Sequence, residues 1–154
     1  MWLSEHFHLS EFTSSQEAAR RGIRNIPTED DVRNLEDLCA NVLEPIRLEF
    51  GPVRISSGFR SPALNKAVGG SMTSQHAYGL AADIEIPDVD NCDLAAWIAN
   101  NLMFDQLILE FHVHEDGPNS GWVHVSYCNG NNREEILTAN KINGRTVYSK
   151  GLPF

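Results

Sequence analysis

Residues 71–86, SMTSQHAYGLAADIEI, place a histidine in a polar loop and an aspartate in the apolar segment that follows it. The alternation over residues 80–87 predicts a β-strand. Because neighbouring side chains of a strand point to opposite faces, Asp83 and Glu85 share one face and the apolar residues take the other. The residues between His76 and Asp83 are mostly small, which leaves room for an ion beside the backbone. His76 and Asp83 are therefore candidate ligands of one metal ion.

A catalytic zinc site needs a third protein ligand, since three side chains and one open position are its usual arrangement. His124 is the best candidate in the sequence. It lies in GWVHVSY (121–127), which predicts a strand whose Val123 and Val125 face the core while His124 faces a cleft. On spacing alone, these three residues could also be unrelated polar groups of a plain soluble domain.

The remaining histidines and the three cysteines carry no comparable signal. Two His-x-His pairs, His6/His8 and His112/His114, are interpreted as surface groups, because neither has a third ligand nearby in an evident pocket. The cysteines show no CxxC or CxxH spacing, so they are interpreted as small core or surface residues without a disulfide framework.

Composition limits the class of protein. A length of 154 residues favours a single domain spanning 1–154, and we expect a monomer. The formal charge of −9 argues against nucleic acid as a partner, and no apolar run is long enough for a membrane span. The N-terminus lacks the pattern of a signal peptide, so we expect synthesis in a bacterial host cytoplasm and action elsewhere only after release.

Local patterns predict helices in the first half and strands in the second, which favours an α+β fold with a small, mostly antiparallel sheet flanked by N-terminal helices. Pro45 should interrupt the second helix near its end. Asn143-Gly144 is a hairpin signal. The predicted helices cover residues 14–21, 28–50, 61–70 and 91–101, with a further helical turn in 131–140. The predicted strands cover residues 53–59, 80–87, 104–111 and 121–127.

Two stretches, residues 57–86 and WVHVSY (122–127), resemble the M15 zinc peptidases, which include D-Ala-D-Ala carboxypeptidases, D,D-dipeptidases and bacteriophage L-alanyl-D-glutamate endolysins. The pattern Ser-x-His-x-x-Gly-x-Ala-x-Asp is met from Ser74 to Asp83, and an aromatic residue, Trp122, precedes the last histidine. The similarity covers about residues 5–130. It implies an M15/hedgehog-like fold with Zn²⁺ at the sheet face, bound by His76, Asp83 and His124.

The sequence departs from this family at one position. Many members place the catalytic acid three residues before the final histidine, where this chain has Gly121. We expect Glu110, at the end of the strand 104–111, to serve instead if that strand pairs with 121–127. Glu115 and Asp116 are weaker candidates.

The resemblance also assigns substrate contacts. Arg60 matches the arginine that the family uses to bind and polarise substrate. Ser74 and Gln75 are expected to hydrogen-bond the substrate or to support His76. Tyr78 and Trp122 are expected to wall the cleft, with a place in the core as the alternative for either residue.

The resulting hypothesis is a zinc metallopeptidase that hydrolyses peptidoglycan stem peptides, either next to D-Ala or between L-Ala and D-Glu. The small chain without a signal peptide or a wall-binding domain suggests a phage endolysin that reaches the wall in the periplasm after release. A host D,D-carboxypeptidase is one alternative. A non-catalytic metal-binding domain that recognises the wall is another, because Gly121 replaces the expected acid.

Overall fold

The computed structural model describes residues 1–153, and Phe154 lies outside the described residues. The α-helices are α1 (Leu9–Thr13), α2 (Gln16–Arg21), α3 (Glu29–Leu38), α4 (Glu44–Phe50), α5 (Pro62–Ala67) and α6 (Asn91–Asn101). The strands are β1 (Arg54–Ser57), β2 (Ala81–Glu85), β3 (Gln106–Glu110), β4 (Trp122–Ser126), β5 (Glu135–Ile142) and β6 (Arg145–Lys150). Within these residues, no helix combines the length and the apolar character needed to span a membrane.

The helix boundaries follow from local chemistry. The Thr28 side chain accepts a hydrogen bond from the Asp31 amide, and the Asp31 carboxylate accepts one from the Thr28 amide, which closes a capping box at the start of α3. A π-helical turn, Cys39–Leu43, separates α3 from α4. This turn confirms the interruption predicted near Pro45. Proline causes it, because it lacks an N–H and crowds the preceding turn.

The six strands form one sheet in the order β1-β2-β4-β3-β5-β6. Every neighbouring pair is antiparallel except β3 and β5, which run parallel. The fold is therefore α+β with a mixed, mostly antiparallel sheet, as predicted. The pairing of β3 with β4 is confirmed, and its register sets Glu110 opposite Trp122 and Ile108 opposite His124.

The helical turn predicted in residues 131–140 is wrong, because residues 135–142 form β5. Two neighbours override the local helical tendency: β5 bonds to β3 on one side and to β6 on the other. The hairpin signal is confirmed, since Asn143 and Gly144 join β5 to β6 with φ values of 52° and 77°.

The main core lies between the helices and one face of the sheet. Leu35, Leu38 and Ile46 from the helices belong to the same buried cluster as Ile84 of β2 and Val123 of β4. Each of these side chains is completely buried. Because β2 and β4 alternate, their polar Asp83 and His124 lie on the opposite face, where the candidate site forms.

Candidate metal centre and its cleft

Three chain segments bring His76, Asp83 and His124 together. Asp83 and His124 are direct partners in the β2–β4 register. His76 lies in a single 3-10 turn, Gln75–Tyr78, immediately before β2. The Ser74 hydroxyl caps this turn by accepting a hydrogen bond from the His76 amide at 3.3 Å. All three side chains are buried, and their nearest ligand atoms lie within 4.8 Å of one another.

Both imidazoles approach the same oxygen of Asp83. His76 Nε2 lies 3.3 Å and His124 Nδ1 lies 3.1 Å from Asp83 Oδ1. Two ligands held about 2.0–2.1 Å from a tetrahedral zinc ion are roughly 3.3 Å apart. The spacing of these atoms is therefore close to that of ligands sharing one ion.

The orientation of His76 is set from behind the ring. Its Nδ1 lies 2.8 Å from the Gly58 carbonyl oxygen, which can only accept, so Nδ1 carries the proton and Nε2 is free to bind a cation. A Cβ at Gly58 would lie 2.6 Å from Phe12 Cα, so only glycine allows this approach. Asn25, which the sequence reasoning missed, donates to the Phe59 carbonyl at 2.9 Å and steadies the same loop.

His124 is held mainly through the nitrogen that faces Asp83. Its other nitrogen, Nε2, is buried and has no hydrogen-bond partner within residues 1–153. Two imidazoles and one carboxylate form a donor set that zinc commonly takes. The residues present therefore fit a zinc ion, with His76 Nε2, Asp83 and His124 Nδ1 as its ligand atoms.

The Asp83 carboxylate is kept ionised although it is buried. Burial alone would raise its pKa, but the adjacent imidazoles of His76 and His124 outweigh burial and hold the pKa of Asp83 below its usual range. The Arg60 guanidinium adds to this field, with its Nη2 3.6 Å from Asp83 Oδ2. An ionised carboxylate is the form that binds a cation.

Glu110 lies at the edge of the centre, as the pairing of β3 with β4 predicted. Its Oε1 is 4.0 Å from His124 Nδ1. Burial, followed by the negative charge of Asp83, raises the pKa of Glu110 to about 7. A carboxyl group with a pKa near neutrality can both accept and return a proton, which is what general acid–base catalysis requires.

The structure explains why the chain has no acid at position 121. Gly121 has φ 66°, and a Cβ there would lie 2.0 Å from the Glu110 carbonyl oxygen. Any side chain at this position would therefore collide with the backbone of the residue that carries the candidate base. Glycine at 121 and glutamate at 110 are compatible, whereas glutamate at 121 is not.

We expect Gly121→Ala to destabilise the protein by about 3 kcal/mol or more, because left-handed strain adds to a backbone collision. Gly130→Ala is the matched control. Gly130 also has a positive φ, 88°, but a Cβ there meets nothing within 4 Å, so the expected cost is only about 1 kcal/mol. Urea unfolding of both variants measures the difference, and equal losses would contradict the collision.

The other predicted substrate contacts separate into two groups. Arg60 and Trp122 line the open cleft beside the centre, whose volume is about 940 Å³. Ser74 and Gln75 also line the cleft, but their hydrogen bonds indicate a structural role. Gln75 Nε2, for example, donates to Asp105 at 2.7 Å. Tyr78 is not among the residues that line the cleft, and its role as a substrate contact stays a prediction. Tyr78 is about half exposed to solvent.

Three further residues that line the cleft were not predicted from the sequence. Tyr148 and Thr146 of β6 line it, together with Arg133, which forms an ion pair with Asp105 at 2.8 Å. Burial and then the charge of Glu110 raise the pKa of the Tyr148 hydroxyl, which places that hydroxyl in the electrostatic field of the candidate base. No local pattern in residues 145–150 reveals this role, because it depends on the pairing of β5 with β3, which adds the β5–β6 hairpin to the sheet beside the cleft.

A zinc-type donor set beside a carboxyl group with a near-neutral pKa, in an open cleft, is the arrangement expected of a metal-dependent hydrolase. The family model described as Peptidase M15 matches residues 5–126, so the chain belongs to the Peptidase M15 family. Membership implies a metallopeptidase, and peptidases of this family are typically zinc-dependent and act on peptidoglycan. No curated protein matches the chain. The β5–β6 hairpin lies beyond the matched residues.

Proposed function

We propose that this chain is a zinc-dependent peptidase that hydrolyses an amide bond of the peptidoglycan stem peptide, next to D-Ala or between L-Ala and D-Glu, and that it serves as a phage endolysin. The observation that carries the proposal is the convergence of His76, Asp83 and His124 beside Glu110 in one cleft. A buried carboxyl group whose pKa is raised to about 7, beside such a donor set in one cleft, favours a catalytic site over a purely binding domain.

The proposed role of each residue is inferred from its position in the site. His76, Asp83 and His124 would hold the ion, and zinc in such a site supplies Lewis-acid polarisation of a substrate carbonyl and lowers the pKa of water. Glu110 takes the proton of the attacking water and returns it to the leaving amine. Its position 4.0 Å from His124 puts the proton transfer next to the ligands.

Arg60 is proposed to orient the substrate. Its Nε donates to Ser57 Oγ at 3.2 Å, and its backbone amide donates to the His76 carbonyl at 3.0 Å. These bonds aim the guanidinium at the cleft, where a planar fork can hold a carbonyl or carboxylate of the stem peptide. Trp122 and Tyr148 form walls along which the peptide lies.

Digestion of purified peptidoglycan, with mass analysis of the fragments, tests the proposed function. We expect stem-peptide fragments from the protein, none after treatment with a chelator, and recovery when zinc is added back. The fragment masses report which bond is cut. A zinc-loaded, folded protein that releases no fragments would contradict the enzyme and favour a binding domain.

Arg60→Lys should lower kcat/KM by about 10- to 100-fold, because a point charge replaces a bidentate fork at the same position. Arg54→Lys is the control, since Arg54 pairs with Glu85 at 2.9 Å on a mostly exposed surface away from the cleft. Steady-state hydrolysis of a soluble stem peptide measures both variants. Equal rates for Arg60→Lys and wild type would remove Arg60 from the substrate site.

A further inference from the structure

A second cluster of metal-type ligands lies outside the cleft, where the β3–β4 connection meets the start of α6. Asp90, His112 and His114 each offer a ligand atom, and these atoms lie within 4.8 Å of one another. We propose that they form a second site for a divalent transition ion of the zinc type. None of the three lines the cleft, so this site is separate from the catalytic one.

The burial and the hydrogen bonding of His112 are typical of a metal ligand and not of a surface histidine. Its side chain is only 7% exposed, which corrects the interpretation drawn from the sequence. Its Nδ1 lies 3.0 Å from the Ser120 carbonyl oxygen, so that nitrogen carries the proton. His76 is held in the same way by the Gly58 carbonyl at the first centre. A histidine held through one nitrogen by a carbonyl presents the other nitrogen to a cation.

The free nitrogen of His112 points at a carboxylate. His112 Nε2 lies 3.6 Å from Asp90 Oδ1, which is too far for a hydrogen bond and close to the spacing of two ligands on one ion. Within residues 1–153, Nε2 makes no hydrogen bond. Asp90 is itself fixed, because Oδ1 accepts the Cys92 amide at 2.7 Å as the cap of α6.

His114 completes the donor set from the accessible side. It begins the 3-10 turn His114–Asp116 and is exposed, so it can close over an ion that enters from solvent. Glu115 and Asp116 follow in the same turn and add negative charge that favours a cation. Two imidazoles and one carboxylate favour zinc over magnesium or calcium, which prefer oxygen ligands throughout.

An ion bound at this second site would link the β3–β4 connection, through His112 and His114, to Asp90 at the start of α6. The connection is already tied there, since the Asn91 amide donates to the Pro118 carbonyl at 2.9 Å and Asn91 Nδ2 donates to the Ser120 carbonyl at 3.0 Å. Its two ends adjoin Glu110 and Trp122. Occupancy would therefore stiffen the segment that positions the candidate base without touching the substrate.

The test uses the Asp83→Asn variant, in which the first centre is disabled, so that only the second site is measured. Zinc at micromolar concentration should raise the melting temperature of Asp83→Asn and bind at one ion per chain by calorimetry. Adding His114→Gln, or Asp90→Asn, which keeps the helix cap, should weaken this binding at least about tenfold. His6→Gln, from the other His-x-His pair, is the control and should change nothing.

Two results would overturn the second site. One is an Asp83→Asn protein that binds no zinc although its circular dichroism is that of wild type. The other is zinc binding that His114→Gln and Asp90→Asn leave unchanged. Because no activity is measured, failure of the proposed peptidase function would leave this test unaffected.

Discussion

Replacing Glu110 with glutamine should lower peptidase activity by about 10²- to 10⁴-fold while the zinc content stays unchanged. Glutamine fills the same space but cannot take a proton from water. Glu110 is not a member of the ligand cluster, so the ion should remain. Hydrolysis of a stem peptide and metal analysis of the same sample measure the two quantities together.

The same substitution has an opposite effect on stability. The pKa of Glu110 is about 7 in the folded protein and about 4.5 in the unfolded chain, so between these pH values the folded state binds more protons. Its contribution to stability is present below pH 4.5 and is lost as the pH rises through 7. At pH 8 the metal-free Glu110→Gln protein should be more stable than wild type by about 3 kcal/mol, and at pH 4 the two should be equal.

Glu85→Gln is the control for both measurements, because Glu85 pairs with Arg54 and does not line the cleft. It should retain activity and show no comparable gain in stability at pH 8. Full activity in Glu110→Gln would exclude Glu110 as the base. Its raised pKa also predicts an acid limb in kcat/KM at or below pH 7, since a bound cation favours the carboxylate.

Replacing Asp83 with asparagine should weaken zinc binding at the first centre by more than about 100-fold and abolish peptidase activity. The figure exceeds the loss usually seen when only an outer partner of a ligand is removed. Asp83 Oδ1 is the atom on which both imidazoles converge, at 3.1 and 3.3 Å. Asparagine keeps the shape but supplies no negative charge for the cation.

Competition with a chelator of known affinity measures the first centre when wild-type Asp83 and Asp83→Asn are compared in chains that also carry His114→Gln, which weakens the second site. Asp88→Asn is the matched control, because Asp88 is an exposed aspartate just beyond β2 and belongs to neither ligand cluster. Its zinc affinity and activity should equal those of wild type. Unchanged affinity in Asp83→Asn would contradict a metal centre at this position.

Sequence patterns alone were sufficient where the determining interactions are local. The caps at Ser15, Thr28 and Asp90 and the turn at Asn143-Gly144 involve residues within a few positions of one another, and the helices that follow these caps and the hairpin turn were predicted from residue type. The alternation in β2 and β4 also indicated which side chains share the polar face. The candidate ligand set could be proposed from the sequence because two of its members, His76 and Asp83, lie seven residues apart in one motif.

Only the tertiary structure decided what depends on contacts between distant segments. β5 exists because β3 and β6 bond to its two edges, and its own residues favoured a helix. Tyr148 lines the cleft, and His112 meets Asp90, only because the chain folds back on itself. The requirement for glycine at 121 likewise arises from the Glu110 carbonyl across the β3–β4 connection. Residue type and spacing encode local geometry, whereas these features come from packing between segments that no local pattern records.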